Sequence, residues 1–263
     1  MTLEVQGLYF NYLFPEDTVL ENVNFRIESG EVVALMGTSG CGKSTLLQII
    51  STLLKPTKGK VVFYNNDKIQ DNKQVMQSLA YVTQDSDKML FPWLTVEQNL
   101  YYPNSLRRRL NKEDWKIRCD NILDVLKISD IRKKYPHKIS GGQRKRLSIA
   151  VALSYKPSII LMDEPLTGID FKLTQELWDF LFSDFNDRNP TVLLVTHSLD
   201  EASILADRVM YFKPKFKSIY RPGKDFDYYE KDVKVKRHEL LKHEGIIRYK
   251  QYLLDEFNNA IND

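Results

Sequence analysis

The sequence holds 263 residues, of which 43% are hydrophobic and 28% charged, with 11 Gly and 10 Pro. That is enough apolar material for one large domain or two small ones, and it excludes a disordered, collagen-like or disulfide-stapled chain. Lys and Arg number 38 and Asp and Glu 35, leaving +3, a balance that gives little reason to expect a nucleic-acid partner and leaves a local basic patch as the one route to it.

Met1 to Phe10 carries acidic and polar residues and no apolar core of the kind a secretory leader needs. Leu3-Glu4-Val5 and Val19 to Ile27 alternate apolar and polar residues, as half-buried strands do. Glu28 to Glu31 reads as a turn, and Val32 to Met36 as a strand buried on both faces. After the glycine-rich Gly37 to Gly42, a helical pattern runs through Leu46, Leu47, Ile49, Ile50, Leu53 and Leu54, and Pro56 is expected to end it. Val61 to Tyr64 and Leu79 to Thr83 are further strand candidates. From about residue 85 to 155 the texture turns helical, with helices expected at Asp114 to Leu126 and Gln143 to Leu153. Strands return at Ile159 to Met162 and Thr191 to Val195, separated by a helix at Lys172 to Phe185. Strands alternating with helices imply an α/β fold with parallel crossovers.

Residues 213–263 form a distinct tail, with 12 Lys and Arg against 9 Asp and Glu interleaved with aromatics such as Phe216, Tyr220, Phe226, Tyr228 and Tyr229. Mixed signs favour a solvated face over a nucleic-acid arm. Helical spacing over Glu244 to Ile261 predicts a terminal helix packing back on the domain. The apolar runs fall far short of the roughly 20 residues that span a bilayer. Cys41 and Cys119 read as free thiols of a reducing compartment. The expectation is a globular, soluble protein of the cytoplasm.

The chemistry is concentrated in a few places. Gly37-Thr38-Ser39-Gly40-Cys41-Gly42-Lys43-Ser44-Thr45 fits the P-loop pattern and sits between a buried strand and a helix. Its glycines let successive N–H groups turn toward a polyphosphate, and the helix beginning near Lys43 offers its positive dipole end to the same anion. Lys43 reaches the β- and γ-phosphates, and the Ser44 hydroxyl suits Mg²⁺. Ile159 to Met162 leads into Asp163 and Glu164, two acids at the tip of a buried strand, where α/β sheets bind ligands. Asp163 suits Mg²⁺ and Glu164 suits polarising an attacking water. Ile139-Ser140-Gly141-Gly142-Gln143 carries two readings: an anion-binding helix N-terminus, or a plain helix start capped by Ser140.

Together these motifs resemble those of the ATP-binding cassette (ABC) ATPases over Leu3 to Phe212, with Ile139 to Gln143 similar to the family's LSGGQ signature. The resemblance implies a P-loop NTPase core with a mostly parallel sheet, an N-terminal antiparallel β part and a helical subdomain insertion at about 85–155, the whole spanning 1–212. It implies ATP and Mg²⁺ as cofactors. Under it Gln84 matches the glutamine that senses Mg²⁺ and the γ-phosphate. Asp170, in Leu166-Thr167-Gly168-Ile169-Asp170, matches the D-loop aspartate, and His197 the switch histidine. Tyr12 resembles the adenine-stacking aromatic; packing of an edge alongside Tyr9, Phe10 and Phe14 is its other reading. Cys41 stands at a P-loop position that takes small residues. Three departures are Ile139 for the signature leucine, Val151 where many relatives carry arginine, and the wording Thr167-Gly168-Ile169.

Leu90-Phe91-Pro92-Trp93-Leu94-Thr95-Val96-Glu97-Gln98-Asn99 resembles a stretch of importer ATPases for nitrate, sulfonate and taurine, as does Thr196 to Ala202 continuing to Val209. That resemblance implies an integral membrane permease as partner, received after Gln84. It also implies a second ATPase subunit (a homodimer) and, indirectly, an extracytoplasmic solute-binding protein, with the chain on the cytoplasmic face of the inner membrane. Phe91, Trp93 and Leu94 as core of the helical insertion is the structural alternative. Within the family a lipid or drug exporter motor is the competing reading, and outside transport a soluble cassette acting on nucleic acid or ribosomes.

Overall fold

The computed structural model of the chain describes residues 1–13, 18–107, 110–212, 250–255 and 258. Two sheets organise them. Strands β1 (Thr2–Asn11), β2 (Thr18–Ile27), β4 (Lys58–Asn65) and β5 (Lys68–Ile69) form an antiparallel sheet in the order β2-β1-β4-β5. Strands β3 (Val32–Gly37), β6 (Leu79–Val82), β7 (Ile159–Asp163), β8 (Thr191–Val195) and β9 (Arg208–Phe212) form a parallel sheet in the order β6-β7-β8-β3-β9.

The continuous apolar runs of the parallel strands follow from burial on both faces. Val32, Ala34 and Met36 of β3 point into one core, and Val33 and Leu35 into the other. Ile160 and Met162 of β7 divide from Ile159 and Leu161 in the same way, as do Val192 and Leu194 of β8 from Leu193 and Val195. The second core is completed by the antiparallel sheet and by α1 (Lys43–Ile50). The first is completed by α4 (Lys112–Val125), α5 (Gly141–Leu153) and α6 (Phe171–Arg188), numbered after the shorter α2 (Asn72–Ser78) and α3 (Val96–Arg107). Between β6 and β7 the described chain is helical, with one 3-10 turn ahead of α3 and two joining α4 to α5.

Helix α1 stops at Ile50 instead of running on toward Pro56. Thr52 adopts φ 66°, and the N–H groups of Thr52 and Leu53 turn back onto the carbonyls of Ile49 (3.0 Å) and Gln48 (2.9 Å). This closing motif satisfies the helix's last carbonyls and leaves Leu53 66% exposed. The periodicity did not announce α2, α3, α7 (Leu199–Leu205), β5 or β9. All but α3 are seven residues or shorter, and α3 is polar and carries Pro103.

Cys41 and Cys119 are buried, free thiols. Among the described residues no helix is long and apolar enough to cross a membrane. Residues 250–255 are helical and lie against the core, with Leu253 1% exposed and the Tyr211 hydroxyl donating to its carbonyl at 2.6 Å. Apart from residue 258, the rest of the expected terminal helix lies outside the described residues, as do Phe216, Tyr220, Phe226, Tyr228, Tyr229 and Phe14.

Candidate active site

The C-terminal ends of β6, β7, β8 and β3 lie side by side, and the loops leaving them share one edge of the sheet. Ligands collect at such an edge because strand ends and the N-termini of following helices converge there. Gly37 closes β3 so near β9 that a Cβ would stand 2.4 Å from the Phe212 carbonyl oxygen. Gly42, at φ 100°, is pressed against β2, where a Cβ would lie 2.9 Å from Leu20 Cδ2. Between them Thr38, Ser39, Gly40 and Cys41 make the loop, and α1 opens with Lys43, Ser44 and Thr45.

The Lys43 ammonium folds back and donates to the carbonyls of Gly37 (2.9 Å) and Thr38 (2.8 Å), with Cys41 Sγ at 3.7 Å. It is 6% exposed. A buried cation held by carbonyl dipoles is a prepared partner for an anion. Asp163, 3% exposed at the end of β7, senses that charge. Burial raises its carboxyl above the ordinary range and the neighbouring Glu164 adds to the rise; the Ser44 hydroxyl, which donates to it, and the charges of Lys43 and Lys145 work against it. Carboxylate and hydroxyl oxygens in contact are hard donors suited to Mg²⁺, and a single carboxylate is enough for an ion that shares its shell with phosphates and water. Gln84 follows β6 on the adjoining loop and is exposed.

Glu164 adopts φ 48°, an uncommon conformation for a side chain of its size. Its N–H donates to the Val195 carbonyl at 2.9 Å. This turn aims the carboxylate at β8's loop, where Oε1 lies 2.9 Å from His197 Nε2. Thr167 Oγ1 donates to the other carboxylate oxygen at 3.4 Å.

The loop bearing His197 is fixed from behind. The Thr196 hydroxyl donates to the Glu201 carboxylate and accepts from Ser198 N–H at 3.0 Å, while Ser198 Oγ accepts from Glu201 N–H at 3.2 Å. Glu201 is 4% exposed; burial pushes its carboxyl up to about 7, Glu164 adds to the rise, and Thr196 and Lys145 oppose it.

Tyr12 stands at the rim, 58% exposed, its hydroxyl 3.2 Å from Thr45 Oγ1 and its ring edge-on to Phe10. Phe10 is core, so of these two rings it is that of Tyr12 that faces outward. Ser140 caps α5 in a reciprocal pair: Ser140 Oγ accepts from Gln143 N–H (3.2 Å) and Gln143 Oε1 from Ser140 N–H (2.9 Å). Gly141 and Gly142 lie exposed beside it. Asp170 caps α6, accepting from Leu173 N–H at 3.0 Å. Gly37 to Thr45, Gln84, Asp163, Glu164 and His197 thus gather on one edge, whereas Ser140 and Asp170 are engaged in their own helices.

Lys145 and the Thr196–Glu201 pair were not singled out from the sequence. Lys145 shares the inward stripe of Ser148, Ile149 and Ala152, and a charge on a helix's buried stripe is the signal that marks it. Beyond the edge, Phe91, Trp93 and Tyr102 form an aromatic cluster with ring centroids 5.4 and 4.9 Å apart. Trp93 is 69% exposed and so is not core. Asn99, 1% exposed, holds this turn by accepting from Phe91 N–H (2.8 Å) and donating to the carbonyls of Phe91, Leu94 and Thr95.

Comparison with known proteins gives the family and the fold. The ABC transporter family model matches residues 20–167. An aliphatic sulfonates import ATP-binding protein of Bacillus cereus is 34% identical, over 85% of this chain and 84% of its own length. A bicarbonate transport ATP-binding protein of Synechocystis is 36% identical, over 73% of this chain and 67% of its own. An Fe(3+) ions import ATP-binding protein of Fusobacterium nucleatum is 34% identical over 84% of this chain, which spans only 58% of that relative's length. A bacterial ABC transporter cassette solved as a dimer, and the same cassette in a post-hydrolysis state with ADP and Pi, superpose with TM-score 0.73 at 30% identity, covering 83% of this chain and 98% of theirs.

Proposed function

The chain belongs to the ABC transporter family of ATPases, and from that membership we propose that it is the motor subunit of an importer for a small anion such as nitrate, a sulfonate or taurine. Relatives named for import of sulfonates and transport of bicarbonate support the direction and the class of solute. The observation that carries the chemistry is the 2.9 Å approach of Glu164 to His197 on the same sheet edge as the buried Lys43.

In this reading the N–H groups of Gly37 to Thr45 and the Lys43 ammonium hold the β- and γ-phosphates, and Tyr12 lies against adenine. Glu164 accepts a proton from the attacking water as the bond between the γ-phosphorus and the bridging oxygen breaks, and His197 steadies the γ-phosphate. Ser44, Asp163 and Gln84 are the residues that would hold Mg²⁺, which would supply positive charge for the developing phosphate charge. Ser140, Gly141, Gly142 and Gln143 of a second copy cover the nucleotide, with Asp170 at the same seam. The relative solved as a dimer supports that arrangement. Most of the rate then comes from charges positioned before the reaction begins.

The exposed Trp93 turn is the seat for an integral membrane permease, which places the chain on the cytoplasmic face of the membrane, with a solute-binding protein reached only through that permease and no nucleic acid involved. Two measurements test the reading. Glu164→Gln with ATP is expected to run as a dimer in gel filtration and to hydrolyse at least ~100-fold more slowly; a monomer turning over at the parent rate overturns it. The tagged protein, extracted from its membranes in mild detergent, is expected to bring an integral membrane partner that Trp93→Ala releases. Recovery with ribosomes or nucleic acid instead overturns the transporter assignment while leaving the ATPase.

A further inference from the structure

Lys145 lies on α5, one residue after Arg144, and is 9% exposed. Its ammonium donates to two backbone carbonyls from different loops: Glu164 after β7, at 3.0 Å, and Gln84 after β6, at 3.3 Å. Beside it Arg144 reaches Asp87 Oδ1 at 2.6 Å and the Ile139 carbonyl at 2.8 Å. The first turns of α5 therefore grip the loop after β6 at two points, and Lys145 alone extends the grip to the turn that carries Glu164.

That turn needs holding. Glu164 sits at φ 48°, a conformation that costs a side-chain-bearing residue free energy unless its surroundings impose it. On one side its N–H is fixed to the Val195 carbonyl at 2.9 Å. On the other its carbonyl accepts from Lys145 at 3.0 Å and, at a longer 3.4 Å, from Thr167 N–H. The orientation of the peptide planes about Glu164 sets the direction of its Cα–Cβ bond, and so where the carboxylate meets His197 and an attacking water. Burial pulls the ammonium's pKa below its ordinary value, and the charges of Asp163, Glu164 and Glu201 around it oppose that shift only in part.

We propose that Lys145 is a positioning residue for ATP hydrolysis, clamping the Glu164 turn and the Gln84 loop to the helix that begins with Ser140–Gln143. The proposal rests on Glu164 as general base. A packing role alone affects stability; a positioning role affects turnover while leaving nucleotide binding intact.

Steady-state ATPase constants and melting temperatures of the full chain separate the two. Lys145→Met keeps the apolar stem and loses the donors. Its kcat is expected to fall about 10–100-fold, as for other residues that orient a reacting group from behind, with KM for ATP within about threefold of the parent and little change in melting temperature. Lys145→Gln, which restores an N–H donor on a shorter stem, is expected to recover part of the loss. Parent-like kcat in Lys145→Met, or a loss confined to KM or to melting temperature, overturns the proposal. If Lys145→Met does not fold, Lys145→Gln decides: a several-fold lower kcat at unchanged KM supports the clamp and a parent kcat overturns it. Glu164→Gln is measured alongside. Turnover by that variant removes the base assignment and the proposal with it, whereas an inactive Glu164→Gln beside an unaffected Lys145→Met removes the clamp alone.

Discussion

At the scale of single residues, the site depends on charges placed where water is scarce. Lys43, Asp163, Lys145 and Glu201 are each less than a tenth exposed, and in such surroundings a charge persists only with dipoles or counter-charges close by. Lys43 and Lys145 meet this with backbone carbonyls. Glu201 meets it least well: one carboxylate oxygen accepts from Thr196, the other has no hydrogen-bond partner, and its carboxyl is pushed up to about 7. Because the folded value lies above the unfolded one, the folded state binds the extra proton between about pH 4.5 and 7. Stability from this group is therefore present below that window and is lost as pH rises through it. Glu164 and Lys145 are the charged groups facing Glu201. Glu201→Gln cannot titrate, so its urea midpoint is expected to decline less than the parent's between pH 5 and 8. Parallel declines would place the titration elsewhere. Lys43, Asp163 and Glu164 were legible as candidates in the sequence through motif spacing, and His197 through the family resemblance. Lys145 and Glu201 were not, since their partners are carbonyls and a hydroxyl distant in sequence, and no local pattern encodes such a meeting.

At the scale of elements, caps and turns do the positioning. Ser140 fulfils the plain reading of its motif as a reciprocal helix cap, which fixes where α5 begins and so presents Gly141 and Gly142 to the outside. The Phe91–Thr95 turn is held by one buried amide, Asn99, which serves four backbone groups between 2.8 and 3.2 Å. Asn99→Ala removes all four bonds, although the carbonyls of Phe91 and Thr95 keep backbone donors in Leu94 and residue 99, and is expected to cost about 1–3 kcal/mol, read as a lowered urea midpoint. Trp93→Ala, on the exposed tip of the same turn, is expected to leave the midpoint unchanged. A drop for Trp93→Ala equal to that for Asn99→Ala would make Trp93 a core residue after all. The sequence placed this turn after Gln84, but the outward aim of Trp93 depends on Asn99 reaching back across it.

At the scale of the whole molecule, a buried ion cluster ties the helical layer together. Asp184 of α6 receives Arg118 of α4 at 2.9 Å and Arg188 of its own helix at 2.9 Å through Nε. Burial alone would raise its carboxyl, yet hydrogen bonds from Arg188 and Arg118 outweigh that and hold it below the ordinary value. A lowered folded value means stability fully present above the unfolded pKa and lost as pH falls through the folded one. Asp184→Ala leaves the largely buried guanidinium groups of Arg118 and Arg188 without their carboxylate, each keeping a carbonyl acceptor, Leu153 and Pro157, and is expected to cost up to about 3–5 kcal/mol near neutral pH, with the gap to the parent closing in strong acid. An equal gap at all pH values would make the loss one of packing alone.

The sequence by itself determined the alternation of strands and helices and the buried parallel strands, and its motifs and their family resemblance named the candidate phosphate-loop, strand-tip and switch residues. Those depend on local periodicity and on motifs whose chemistry is written within a few positions. Only the tertiary structure decided the strand order that sets β6, β7, β8 and β3 side by side, the end of α1 at Ile50, and the meeting of Glu164 with His197. It also decided that Lys145 would bridge two loops 80 residues apart (164 − 84). Such contacts join positions far apart in the chain, and they form because the hydrophobic cores on both faces of the parallel sheet fix where each strand ends.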